Sequence, residues 1–254
     1  MSSLHVFLIS FAIIFGCALV GLFLQRFIPS THITGDSKDA VKLGAGILAS
    51  MAALVLGLMV SSAKGTFDSV NQQISNAAAM DMQLSRVLKQ YGPRTESIRE
   101  ELRVSVDNRL WDIWPEERPG GVAARGDRTQ AASLESMKKM IAELDPQTPL
   151  QRKLQDSALS LVDQIERDRY SIEALSTGNL SMYLIFIPVF WIAALTLIYS
   201  TLAARNYTVF CVLLICSLSI AASVFLIFEM STPLDGHIKV SSAPVRRATE
   251  MISN

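Results

Sequence analysis

Four long stretches of the chain are apolar on every helical face, and the segments between them are apolar on one face only. Residues 1–25, 43–63, 174–204 and 206–228 contain no Asp, Glu, Lys or Arg. A helix or strand in water keeps one wet face, so charges recur along it. Charge-free apolar runs of about 18 residues or more instead match the hydrocarbon thickness of a bilayer. Membrane spans are therefore predicted at about 4–25, 43–63, 182–204 and 207–228, and a soluble globular enzyme is excluded. The first run lacks a basic start and a small-residue cleavage site and is too long for a signal-peptide core, so it reads as a retained helix. Pro188 predicts a kink in the third span. Arg205-Asn206 is a very tight connection, which makes the last two spans an antiparallel hairpin.

After Lys64 the pattern changes without breaking. Phe67, Val70, Ile74, Ala77, Asp81, Leu84 and Leu88 recur at threes and fours, the seam of a bundled helix, up to Tyr91-Gly92-Pro93. One helix is thus expected over about 43–90. Ile98, Leu102, Val106, Leu110 and Trp114 mark a helix over 94–114, followed by a Pro- and Gly-rich loop over 115–128. Leu134, Met137, Ile141 and Leu144 mark the next helix, ended by Asp145-Pro146. Thr148-Pro149 opens another, with Leu150, Leu154, Leu161, Ile165, Ile172 and Leu175 as its stripe. No segment alternates with period two, so no strand is needed. The expected fold is all-α: a four-span transmembrane helical protein with a helical-bundle insert between spans 2 and 3. Its divisions are a first transmembrane pair at 1–64, a soluble helical bundle at 65–178, a transmembrane hairpin at 179–229 and a polar amphipathic tail at 230–254. In the tail, Asp235-Gly236 reads as a turn, and Ser242 with Pro244 opens a short final helix.

The second span offers the first candidate functional residues. Ala45, Ala49, Ala53, Gly57 and Ser61 recur every four residues as a small stripe, which favours close helix packing in lipid. Ile47, Met51, Val55 and Met59 occupy the opposite, bulky face. Either line is a candidate for packing or for lining a pore. In the bundle, Asp81 is a carboxylate at a seam position, expected to be salt-bridged or partly wet. Glu229 is an acid at a membrane edge, where a cap or an ion pair with Lys239 or Arg246 is expected.

Charge narrows the partners. With 23 basic and 23 acidic side chains the chain is neutral, which argues against nucleic acid as a ligand. The lipid bilayer is the one partner the composition demands. Cys17, Cys211 and Cys216 fall inside the apolar runs and read as small hydrophobes, and His5, His32 and His237 are scattered. No spacing marks a metal site, and no cofactor is expected. Glu100-Glu101 and Glu116-Glu117 read as solvated charges rather than a catalytic pair, and Arg125-Gly126-Asp127 as a chance triplet. Lys64, Arg167, Arg169, Lys239, Arg246 and Arg247 flank the membrane on one side, Arg26, Lys38, Lys42 and Arg205 on the other. The excess places the middle domain and both termini in the cytoplasm of a bacterial inner membrane.

Two stretches carry a family resemblance. Leu54 to Asp68, LVLGLMVSSAKGTFD, and Glu229 to Pro244, EMSTPLDGHIKVSSAP, with Glu229, Pro233, Asp235, Gly236, Ser242 and Pro244 as its motif positions, resemble the bestrophin-like membrane proteins of bacteria, a family of undefined function. The order of spans, insert, hairpin and tail is similar to that family along most of the chain. After Phe67-Asp68 this sequence departs from the pattern: SNAAAMDMQ stands where the family usually has an acidic, Asn-containing stretch, and the carboxylate is displaced to Asp81. The resemblance implies an oligomer, commonly a pentamer, whose second span walls a pathway for chloride or other anions. The span itself holds no Arg or Lys to select anions, which leaves an apolar constriction at Ile47, Met51, Val55 or Met59. Three functions remain open at this point: an anion or small-solute channel, a non-transporting adaptor or structural subunit, and a membrane sensor with a ligand-binding bundle.

Overall fold

The computed structural model describes residues 3–27, 35–117, 127–177, 182–204, 206–234, 236 and 238–253. The turn residue Arg205, the loop residues 118–126, and Asp235 and His237 lie outside the described residues. Among the described residues, eight α-helices follow one another: α1 Ser3–Leu24, α2 Gly35–Tyr91, α3 Glu96–Ile113, α4 Asp127–Ala142, α5 Pro149–Thr177, α6 Met182–Leu202, α7 Tyr207–Ser231 and α8 Ala243–Ser253. No strand occurs among the described residues, and the fold is all-α. Four helices are long and apolar enough to cross a membrane: α1, α2, α6 and α7. The chain divides into two compact units, one formed by Met1–Phe67 and Gly178–Lys239, the other by Asp68–Thr177 and Val240–Asn254. The polar tail is therefore shared between the two rather than separate from both.

In the membrane unit, α1 packs along both α6 and α7, while those two make few contacts with each other. The expected hairpin pair is thus joined at its turn but separated along its length by α1. The cause lies in the face α1 presents, since Ser3, Ser10, Ala18 and Gly21 alternate with Val6 and Ile14 along its buried line. Small side chains let backbones approach closely where lipid supplies no hydrophobic drive. At Gly21 the approach is extreme. A Cβ there would overlap Ser200 Oγ and lie 2.6 Å from the Leu197 carbonyl oxygen. Phe7 meets Phe225 edge-on at 6.3 Å and Phe15 meets Phe210 at 5.7 Å, fastening α1 to α7. Val6, Ile14, Ala52, Met59, Ile185, Val189, Val224 and Ile227 share the core. Buried hydroxyls are satisfied within their own helices, as Ser200 donates to Leu197 O and Ser217 to Leu213 O. The helix α6 continues through Pro188.

In the bundle unit, the lower part of α2 buries Val70, Ile74, Ala77, Asp81, Leu84 and Leu88, the seam read from the sequence. Gly92, at φ 122°, ends that helix, and the Thr95 hydroxyl donates to the Leu88 carbonyl at 2.6 Å. Ile98, Leu102, Val106 and Leu110 form the inner face of α3, against which α4 and α8 pack. Thr148 caps α5 through the Gln151 amide at 3.1 Å, as its position before Pro149 predicts. Leu150 departs from its assigned stripe. It lies in the first turn of α5 and is 65% exposed.

Candidate functional site

The membrane segment of α2 buries Ala45, Ala52, Met59 and Ala63, with Ala49, Val55, Leu56 and Val60 half-buried beside them. That line repeats at sevens. The stripe drawn at fours crosses it, because each four-residue step turns roughly 40° beyond a full circle. Of the small residues, Ala45 is buried and Ala49 half-buried, but Ala53, Gly57 and Ser61 are exposed. Of the bulky ones, Ile47 and Met51 are exposed while Val55 is half-buried and Met59 is packed in the core. The outward face instead combines Leu43, Ile47, Met51, Leu54 and Leu58 with the small Ser50, Ala53, Gly57 and Ser61 alongside. Leu43, Leu54 and Leu58, each more than 60% exposed, were missed by reading at fours; a seven-residue repeat drawn through Ala45, Ala52 and Met59 finds them on the opposite side.

Asp81 accepts a hydrogen bond from Arg109 of α3, whose guanidinium is itself mostly buried. Burial pushes the Asp81 carboxyl up, and Arg109 pulls it partly back. The pair joins two helices inside the bundle and lies on the inner seam of α2. It has the form of a structural ion pair.

Glu229 is fully buried at the C-terminal end of α7. A carboxylate there is disfavoured by the helix dipole, so backbone donors must compensate it. The tail supplies one: the Ile238 amide donates to Glu229 Oε2 at 3.0 Å. Between them the chain turns on a Gly236 amide to Thr232 carbonyl bond of 3.1 Å, with Pro233 buried beneath it. Gly236 passes so close that a Cβ would overlap Glu229 Oε2. The tail thus closes over the acid as a clasp. Asp235 of the same motif lies outside the described residues.

Farther along, Trp114 donates its indole N–H to the Val240 carbonyl at 2.9 Å. Ser242 donates to Glu117 Oε1 at 2.6 Å. Ser242 stands directly before α8 as expected, its carbonyl accepting the Arg246 amide at 3.0 Å, while its hydroxyl proton goes to Glu117. Ser241 Oγ takes the Ala243 amide instead, and Pro244 stands in the first turn. Among the described residues no three metal-ligating side chains gather at one point.

Solved structures share this architecture. A bacterial bestrophin homologue from Klebsiella pneumoniae matches with a TM-score of 0.70 at 12% identity, over 98% of this chain and 96% of that one. A point variant of a Klebsiella pneumoniae bestrophin homologue matches at 0.67 and 13%, over 96% of each chain. A crystal structure described as a membrane protein matches at 0.69 and 12%, over 97% of each. No curated protein sequence matches the chain. The family model for the Bestrophin-like domain matches residues 12–245. Four apolar spans, a helical insert and a tail folded back over a buried acid are thus the features of a chain that belongs to the Bestrophin-like family.

Proposed function

We propose that this protein is an oligomeric channel that passes anions or small solutes, with the membrane segment of α2 facing the pathway. The observation that carries the reading is the outward face of that segment. Leu43, Ile47, Leu54 and Leu58 form a bulky apolar line that is left exposed among the described residues. Its family membership supports the same reading. Around a symmetry axis, copies of this line make an apolar constriction, which gates by dewetting rather than by fixed charge. The narrow point is assigned to Ile47, Met51, Leu54 and Leu58, because Val55 and Met59 turn inward. A pentamer and chloride fit the family resemblance, and the bundle and both termini lie in the cytoplasm of a bacterial inner membrane.

Planar-bilayer recording tests the function. Conductance under a chloride gradient together with an oligomeric detergent complex supports it; a silent monomer sinks it and leaves the adaptor reading. A cysteine at Gly120 that reacts with an impermeant maleimide in intact cells would overturn the orientation.

A further inference from the structure

We propose that a pocket at the membrane edge, walled by the end of α6, the start of α7 and the early part of α2, binds an anionic phospholipid. The pocket holds about 390 Å³ and lies within the membrane unit. Leu202, Val209 and Val212 form its apolar wall, and Lys42, Tyr199 and Thr208 its polar rim. Lys42 is the last charge before the apolar run of α2, Leu202 the last residue of α6, and Thr208 the second of α7. All three lie at or within a few residues of an end of the charge-free apolar runs.

The chemistry of the rim selects the headgroup. Asn206 begins α7 without a side-chain cap, so the first-turn amides beside Thr208 present the positive end of a helix dipole. Lys42 adds a full cation, and none of the described lining residues is a carboxylate. Its present partner, Asp39, sits 3.4 Å away, and both side chains are more than half exposed. Exposed pairs of this kind contribute little, so a phosphodiester displaces Asp39 at small cost. The apolar wall selects the rest of the ligand. It runs down α7 from Val209 to Val212 into the hydrocarbon, where an acyl chain fits and a free phosphate leaves it uncovered. The occupant that satisfies both halves is a phospholipid of the surrounding membrane with a net negative headgroup.

Delipidated full-length protein in dodecyl maltoside, titrated with phosphatidylglycerol, phosphatidylcholine or glycerol 3-phosphate, tests this by native mass spectrometry and thermal unfolding. Phosphatidylglycerol should bind about fivefold more tightly than phosphatidylcholine of equal chain length, the scale of one cation near an anionic headgroup. K42Q should abolish that preference and K42R retain it. V212W, which fills the apolar wall, should weaken both lipids. Equal preference in wild type and K42Q overturns the proposal, and so does a response to glycerol 3-phosphate equal to that of the lipid. Unchanged binding in V212W overturns it as well, and places the lipid elsewhere or a neighbouring copy in the pocket.

Discussion

Replacing Gly236 with Ala should cost far more stability when Glu229 is present than when it is absent. A Cβ at Gly236 would overlap Glu229 Oε2, and would lie 3.3 Å from Glu229 Cδ and 3.2 Å from the Thr232 carbonyl oxygen. Glu229 is fully buried, and its Oε2 accepts the Ile238 amide. Moving it forfeits a hydrogen bond to a carboxylate, worth ~1.5–3 kcal/mol. Keeping it in place imposes overpacking strain of ~1–3 kcal/mol. Whichever route the protein takes, G236A should cost about 2–3 kcal/mol. In an E229A background the obstructing atoms are gone and only the Thr232 oxygen is close, so the same substitution should cost less than about 1 kcal/mol. A double-mutant cycle should then return a coupling of about 1–2 kcal/mol. Unfolding in detergent followed by tryptophan fluorescence measures the four corners, and hydrogen exchange at the Ile238 amide reports the clasp itself. Equal cost of G236A in both backgrounds would refute the clasp.

Four further outcomes follow from the geometry. G21A drives a methyl against the α6 backbone at Leu197 and should lower stability by about 1–3 kcal/mol; wild-type stability in detergent would contradict the close α1–α6 contact. Because burial holds the Asp81 carboxyl above its ordinary 3.8, the folded state keeps that proton longer than the unfolded one. The stability advantage of wild type over D81N should therefore shrink as pH rises from 3.8 through the raised value, and an advantage that grows would show Arg109 dominant. W114F leaves the Val240 carbonyl unpaired at about 1–3 kcal/mol and should hasten proteolytic release of α8; unchanged cleavage argues against that anchor. L54S should raise conductance by wetting the constriction, and a channel unaffected by it would turn the Leu54 face toward lipid.

The sequence made the spans legible because charge exclusion is strong in hydrocarbon, and it made the bundle seam legible because Val70 to Leu88 recur at helical spacing over about five turns. The position of α1 was not legible. A helix apolar on all sides carries no direction in its periodicity, and only the spacing of Ser3, Ser10, Ala18 and Gly21 marked the face it buries. The stripe at fours on α2 drifts around the helix, so only Ala45 and Ala49 of it fall on the line this helix buries. Glu229 stood out as an acid at a membrane edge. Its partner did not, because a backbone amide such as that of Ile238 has no signature in the sequence. Ser242 shows the same limit: its place at the start of α8 was legible, but its bond to Glu117, more than a hundred positions away, was not.

The place of α1 between α6 and α7 bears on how the protein is made. The ribosome delivers α1 first and its two partners last, with the whole helical insert between. At roughly 5–20 residues per second, the interval between Leu24 and Ser231 lasts about 10–40 s. Until α6 emerges, the serine- and glycine-bearing face of α1 lacks both of those helices, with lipid, the translocon, α2 or another nascent chain against it. Biogenesis is therefore the stage at which this helix is most exposed to wrong partners. A chain truncated before α6 leaves α1 inserted with its packing face permanently unmatched.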